Sequence, residues 1–440
     1  MGTLKCGFAR KVITPPYDIP LDGMGGNTGR VPNNVTEDIT ASFIALSDGT
    51  DTALICTMDV LWIHRFFYEK AAKLISDKTG VPEKNIFLSA THTHAAPDMR
   101  TVSDERVSKY LDFLYRILPE TAVEAVSDMS ESRVYAGRCY AKGLNSVRRY
   151  FMENGKLNSV GVKDDSPIVI TESEGDHTLQ AVRFRRDGKK DVVLANFAAH
   201  PSCGSDLKAM HPSYIGAFRR KAEESGKFLL AFFQGAQGNM EGFSKVRNEN
   251  SDARDENYVS LGERLSECLS ELLPKLRETG TGSLTSIQRF MEAEVDHSRD
   301  YLLTAAQTLL SYSGNVTLPA EITEKYDLHT STDTRKVITN ATTYKDTAAL
   351  NVPVGVLSFG EIAFVFAGYE MFTQSGMQIK SASPFSMTFI CGNSCGSYGY
   401  VPAEECFGNF GFEVNSTTFV RGTAEKLADG IIGMLYESEK

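Results

Sequence analysis

The residues that could do chemistry in this chain stand at the ends of apolar runs. In the stretch IFLSATHTHAAPD, residues 86–98, a short apolar segment opens into His92 and His94, one residue apart, and then into a proline-broken loop. Further along, VVLANFAAHP ends in His200 and IAFVFAGYE ends in Glu370. Neutral imidazoles and a carboxylate are the ordinary ligands of a catalytic zinc, which keeps one position open for water or substrate. The competing reading is that each histidine caps its own strand by hydrogen bonding. What favours a metal is convergence: an HxH pair, a third histidine and a glutamate, all in the same kind of position.

That position needs elements to create it. ASFIALSDG and TALICTMDVLWI read as two strands joined by a Gly-containing turn, and FFYEKAAKLISDKTG as a helix with Phe67, Ala71, Leu74 and Ile75 on one face and a stop at Gly80. The NIFLSATH strand follows, completing a βαβ unit, so a mixed or mainly parallel sheet is expected. A long amphipathic helix is predicted to carry Val107, Tyr110, Leu111, Leu114 and Leu118 on one face. DVVLANFAAH and FLLAFFQGAQGN read as further buried strands separated by a helix in YIGAFRRKAEESG, and residues 256–273 as another helix. Residues 280–345 show no clear period. VPVGVLSFGEIAFVFAGYE has a hairpin pattern around FGE. The expected class is α/β, with mixed sheets, flanking helices and an active site at the carboxyl ends of strands, where loops share a crevice. With neither a repeat nor a low-complexity linker in view, residues 1–440 are read as one domain.

Composition narrows the function. A net charge of −10 argues against nucleic acid, whose phosphates need clustered Lys and Arg. A small-molecule substrate is the default. Eight cysteines scattered over 440 residues do not form a disulfide framework and are expected to be reduced; Cys391 and Cys395, spaced CxxxC, read as small buried or loop cysteines rather than a metal knuckle. The N-terminus lacks an apolar signal core and no run reaches the ~18 residues of a membrane span, so a soluble, cytoplasmic protein is expected, or a secreted one if a signal peptide was removed.

The segments LKCGFARKVITPP, FLSATHTHAAPD, NFAAHPS, FFQGAQGN, FAGYEMFTQSG and CGNSCGSYGYVPAEE occur in an order that resembles the neutral/alkaline non-lysosomal ceramidase family, across roughly residues 4–406. Enzymes of that family are zinc amidases that cleave the N-acyl bond of ceramide. The resemblance implies one zinc per chain, held by His92, His200, Glu370 and Tyr400, with His94 close to the metal rather than on it. It also implies that NSVRRYFMENGK reaches the active site through Arg148 or Arg149; read without it, these are a solvated basic pair, and Tyr400 is a turn aromatic. Asp59, at a strand end, is expected to support the site or the fold rather than bind metal, and Gly23, Gly25 and Gly26 to form a flexible loop near the site mouth.

The chain departs from the family pattern in two places. Where the family has Gly-Asp-x-Ser-Pro, this sequence reads GAQGNMEG, placing Glu241 where the serine belongs, and a catalytic region without the family's immunoglobulin-like C-terminal domain is expected. A substrate other than ceramide, soluble and carrying an N-acyl or amide bond, is therefore expected, without stable membrane association. His94, Arg148, Arg149 and Glu241 are the candidates for proton transfer and oxyanion stabilisation. Two alternatives stand beside the amide hydrolase: a metal-dependent esterase or lactonase, because a polarised carbonyl does not discriminate amide from ester, and a non-catalytic protein whose metal site is closed.

Overall fold

The computed structural model describes residues 4–23, 29–141, 143–159, 166–201, 208–242, 257–312, 328, 331–409 and 411–439. Its larger sheet runs Phe228–Gln234, Asp191–Phe197, Thr178–Arg186, Ser130–Tyr140, Lys5–Val12, Thr40–Ser47, Thr52–Met58 and Ile86–Ala90, with Arg277–Glu278 added beside Ser130–Tyr140. The second sheet runs Leu284–Glu294, Ala349–Phe359, Ile362–Ala367 and Met387–Cys391. Mixed sheets with flanking helices are the expected class. The mainly parallel arrangement is not adopted. In the larger sheet the two outermost pairings are parallel, and those between them are antiparallel.

The reason lies in the connections. Parallel neighbours need a crossover, and helices Arg65–Thr79 and Ser213–Glu223 supply one at each end of the sheet. A third crossover, helix Thr373–Ala382, joins the parallel pair Ile362–Ala367 and Met387–Cys391 in the second sheet. These three βαβ units position the chemistry. The predicted hairpin around FGE forms, pairing Phe359 with Ile362 across Gly360, whose φ of 54° suits the tight turn. In the region without sequence period, Leu284–Glu294 pairs along its whole length with Ala349–Phe359, and helices Leu303–Tyr312 and Ser331–Thr342 lie between them.

The sheets pack through aromatic faces. Phe87 stacks on Phe366 at 4.2 Å between ring centroids, and Phe233 meets Phe364 edge-on at 6.3 Å. Each such ring, fully buried, contributes about 1.5–3 kcal/mol. Polar contacts fix the register between sheets: Ser89 Oγ lies 2.7 Å from Ser394 Oγ, and Asn196 Nδ2 donates to the carbonyls of Phe233 at 2.9 Å and Ile390 at 2.8 Å.

The helices behave as their spacing predicts. Arg65–Thr79 buries Phe67, Ala71 and Ile75, with Leu74 partly exposed at the margin, and ends at Gly80 in the left-handed conformation, φ 74°. Glu105–Ser127 buries Val107, Tyr110, Leu111, Leu114 and Leu118, and its first turn is capped by Asp104 accepting from the Arg106 amide at 2.9 Å. Helix Thr423–Ser438, which the sequence reading left unassigned, covers the second sheet with Leu427, Ile431 and Leu435. No helix among the described residues is long and apolar enough to cross a membrane. The seven described cysteines are unpaired; Cys203, Gly25 and Gly26 lie outside the described residues.

Candidate metal centre

Two strand ends deliver three imidazoles to one point. His92 follows strand Ile86–Ala90, His94 lies two residues on, and His200 follows Asp191–Phe197. One ring nitrogen from each stands within 4.8 Å of the others. His92 has φ 67°, a conformation a non-glycine residue holds only when its surroundings impose it. Here they do. The His92 amide donates to the Val60 carbonyl at 3.0 Å, and His92 Nδ1 lies 2.9 Å from the Leu61 carbonyl. With Nδ1 carrying the proton for that bond, Nε2 is left with its lone pair, 3.2 Å from Glu370 Oε2. Trp62 packs edge-on against the same ring at 4.7 Å.

His94 and His200 touch through their Nε2 atoms, 2.8 Å apart. Such a contact needs one nitrogen to donate and the other to accept, so at least one ring is neutral. Burial holds both pKa values well below the usual imidazole range, reinforced by the positive charge of Arg148. His200 Nδ1 lies 3.9 Å from Glu370 Oε2. Both of those atoms are buried without a hydrogen-bond partner. Two orphaned donor atoms facing each other among neutral imidazoles are what a divalent cation would satisfy, so the residues present fit zinc.

Glu370 and Tyr400 arrive together, as directly paired residues of the short parallel ladder between Glu370–Met371 and Tyr400–Val401. Burial and the Glu370 carboxylate push the Tyr400 phenol well above its ordinary pKa, with Arg148 pulling the other way. Without a cation in the centre the phenol is therefore neutral. Arg148 Nη2 donates to Tyr400 Oη at 3.0 Å and to the Gly238 carbonyl at 2.9 Å. Burial works against the guanidinium charge, but the carboxylates of Glu413, Glu241 and Glu370 outweigh it and keep Arg148 protonated.

Glu241 is brought to the centre by backbone pairing. It bridges His200 and lies opposite Ser146 in the ladder Asn145–Val147 with Met240–Gly242, which places Glu241 Oε2 4.0 Å from Arg148 Nη1. Arg149 points away, to Glu172 and Glu413, and meets none of the imidazoles. The solvated-pair reading of Arg148 and Arg149 does not hold, since both are buried. Asp59 supports the fold: it accepts from the Thr40 amide at 2.9 Å, Thr40 Oγ1 at 3.0 Å, Thr91 Oγ1 at 3.3 Å and Arg219 Nη2 at 3.0 Å.

Sequence reasoning missed Glu413 and Gln237. Glu413 lies in GFEVN, where nothing local marks it, yet it is completely buried between two arginines. Gln237 is buried with both side-chain amide atoms unpartnered; its place in the GAQGN turn after a strand was the one available signal.

Gly23 closes one side of the centre. Its φ is 99°, and a Cβ there would fall 2.8 Å from His94 Cα and 2.9 Å from His94 Cβ. Gly23→Ala is expected to cost about 1–3 kcal/mol through strain and to lever His94 off His200. A lower thermal midpoint together with reduced turnover would bear this out; an unchanged midpoint would mean the loop yields freely.

With this geometry in place, comparison with solved structures is decisive for the fold. The chain superimposes on the crystal structure of neutral ceramidase from Pseudomonas aeruginosa with a TM-score of 0.75, covering 99% of this chain and 74% of that one at 16% sequence identity. This is a neutral ceramidase-like fold. A ceramidase complexed with C2 matches at a TM-score of 0.73 over 99% of this chain and 75% of that one, also at 16% identity. No protein-family model and no curated protein matches the sequence. In this ceramidase-like fold, His92, His94 and His200 form a group able to hold a metal ion.

Proposed function

We propose that the chain is a zinc-dependent hydrolase that cleaves an amide bond of a small N-acylated substrate. The observation that carries this is the pair of orphaned atoms, His200 Nδ1 and Glu370 Oε2, facing each other beside His92 Nε2 with a firmly protonated arginine at the rim. The ceramidase-like fold supports an amide as the scissile group. His92, His200, Glu370 and Tyr400 would hold one zinc, with His94 beside it, hydrogen-bonded to the far side of His200.

Bound zinc would polarise the substrate carbonyl and lower the pKa of water from 15.7 to about 7. The chain's own residues divide the remaining work. Glu241, whose backbone bridges His200 and whose Oε2 lies 4.0 Å from Arg148 Nη1, takes the proton of the attacking water. Arg148 Nη1 donates to the carbonyl oxygen as it gains negative charge, from a guanidinium already fixed by Tyr400 and Gly238. His94 passes the proton taken up by Glu241 on to the leaving nitrogen.

The test joins metal content to a substrate panel. Elemental analysis of protein never exposed to chelator should find about one zinc per chain, and a panel of N-acyl amino acids, N-acyl sphingoid bases, simple amides, esters and lactones should show hydrolysis of an amide. Glu241→Gln should abolish turnover on every substrate. Zinc-free protein, or zinc-loaded protein that cleaves esters and lactones but no amide, would overturn the reading.

A further inference from the structure

Four buried charges form a chain that ends on the metal centre. Glu172 accepts from Arg149 Nε and, at 2.9 Å, from Arg149 Nη2. Arg149 Nη1 donates to Glu413 Oε2 at 3.2 Å, and Arg148 Nε donates to Glu413 Oε1 at 2.8 Å. Arg148 Nη2 then reaches Tyr400 Oη at 3.0 Å. The side chains of Arg148, Arg149 and Glu413 are at most 3% exposed.

A guanidinium is planar, so fixing the direction of its Nε–H fixes the whole fork. In Arg148 the Nε bond goes to Glu413 alone, Nη2 is committed to Gly238 and Tyr400, and Nη1 is the edge that faces Glu241. The short helix carrying Glu413, Phe412–Asn415, also presents Phe412, whose ring meets Tyr400 edge-on at 5.8 Å. One turn of backbone therefore sets both the arginine and the tyrosine.

We propose that Glu413 is a positioning residue for the metal centre: its carboxylate sets the plane of the Arg148 guanidinium, so that one edge meets Tyr400 Oη and the other faces Glu241. The catalytic part of this inference rests on the amide-hydrolase reading; the orientation of Arg148 does not. Neither the THTH motif nor any spacing of titratable residues assigns this role to Glu413.

The decisive comparison is between Glu413→Gln and Glu172→Gln, which opens the far end of the same chain and serves as a control for the loss of a buried charge pair. In metal-free protein, the Arg148 Nε–H resonance, assigned by its loss in Arg148→Lys, should shift and broaden in Glu413→Gln and stay in place in Glu172→Gln. On an amide that the parent protein hydrolyses, Glu413→Gln should lower kcat by about 10- to 100-fold, the scale of a small misplacement of a catalytic group. KM and zinc content should hold, and Glu172→Gln should keep kcat within about twofold. Equal kcat losses in the two variants, or an Arg148 resonance unmoved by Glu413→Gln, would overturn the proposal. If Glu413→Gln does not fold, Glu413→Asp, which keeps the charge but withdraws it from Nε, carries the same comparison. Should no amide be hydrolysed by the parent protein, the functional reading fails while the resonance still decides whether Glu413 orients Arg148.

Discussion

His200→Ala is expected to strip zinc from the purified chain and to lower amide turnover by at least about 1,000-fold, because a Lewis-acidic metal supplies several kcal/mol of barrier lowering and each 1.36 kcal/mol is a factor of about ten. His94→Ala should behave differently. His94 reaches His200 on Nε2 and leaves His200 Nδ1 facing Glu370, so losing it removes an orienting hydrogen bond rather than the donor turned toward the carboxylate. Loss of such an orienting partner typically weakens metal binding about 10- to 100-fold, and loss of a proton-transfer group lowers turnover about 100- to 10,000-fold. At metal concentrations that saturate both proteins, His94→Ala should therefore hold zinc and turn over poorly, while His200→Ala holds none. Elemental analysis after buffer exchange reads the first difference and kcat the second. Equal zinc loss in the two variants would make His94 a ligand.

The largest effect on stability is expected away from the metal, at Asp59. Its carboxylate takes four hydrogen bonds, one of them from Arg219, and lies between strand Thr40–Ser47 and the residue before His92. Asp59→Ala leaves the Arg219 guanidinium largely buried without its counter-charge, a change that typically costs about 3–5 kcal/mol. Against a total of about 5–15 kcal/mol this is a large share of the stability. Urea unfolding should show the midpoint falling accordingly, and the double variant Asp59→Ala, Arg219→Met should recover part of the loss, since the orphaned charge goes with the arginine. A single variant within 1 kcal/mol of the parent would show that water reaches Arg219 freely.

The strand ends were legible because their signals are local. Apolar runs such as IFLSA, VVLANF and IAFVFA are short and followed within three residues by a histidine or a glutamate, and the structure ends strands there, ahead of His92, His200 and Glu370. The crossover helix Arg65–Thr79 was legible for the same reason, its period and its glycine stop both lying within one segment. Strands Lys5–Val12, Ser130–Tyr140 and Leu284–Glu294 were not, because each carries polar residues through a partly exposed sheet and is held by partners far away in sequence.

The sequence by itself determined which side chains stand at strand ends and that their chemistry suits a metal. Only the tertiary structure decided that these ends share one site. His92 and His200 meet because the edge strands Phe228–Gln234 and Ile86–Ala90 of the larger sheet come together, Gln234 Nε2 donating to the carbonyls of both Thr91 and Ala199, and Glu370 joins them because the second sheet packs face to face on the first. It also decided between two adjacent arginines, turning Arg148 to Tyr400 and Arg149 to Glu172. The physical reason is that a buried charge is stable only against a partner, and here the partners, Glu413 and Tyr400, come from segments more than 250 residues away. Hydrophobic period reports how a segment lies against a core; it carries no information about which distant charge will be waiting there.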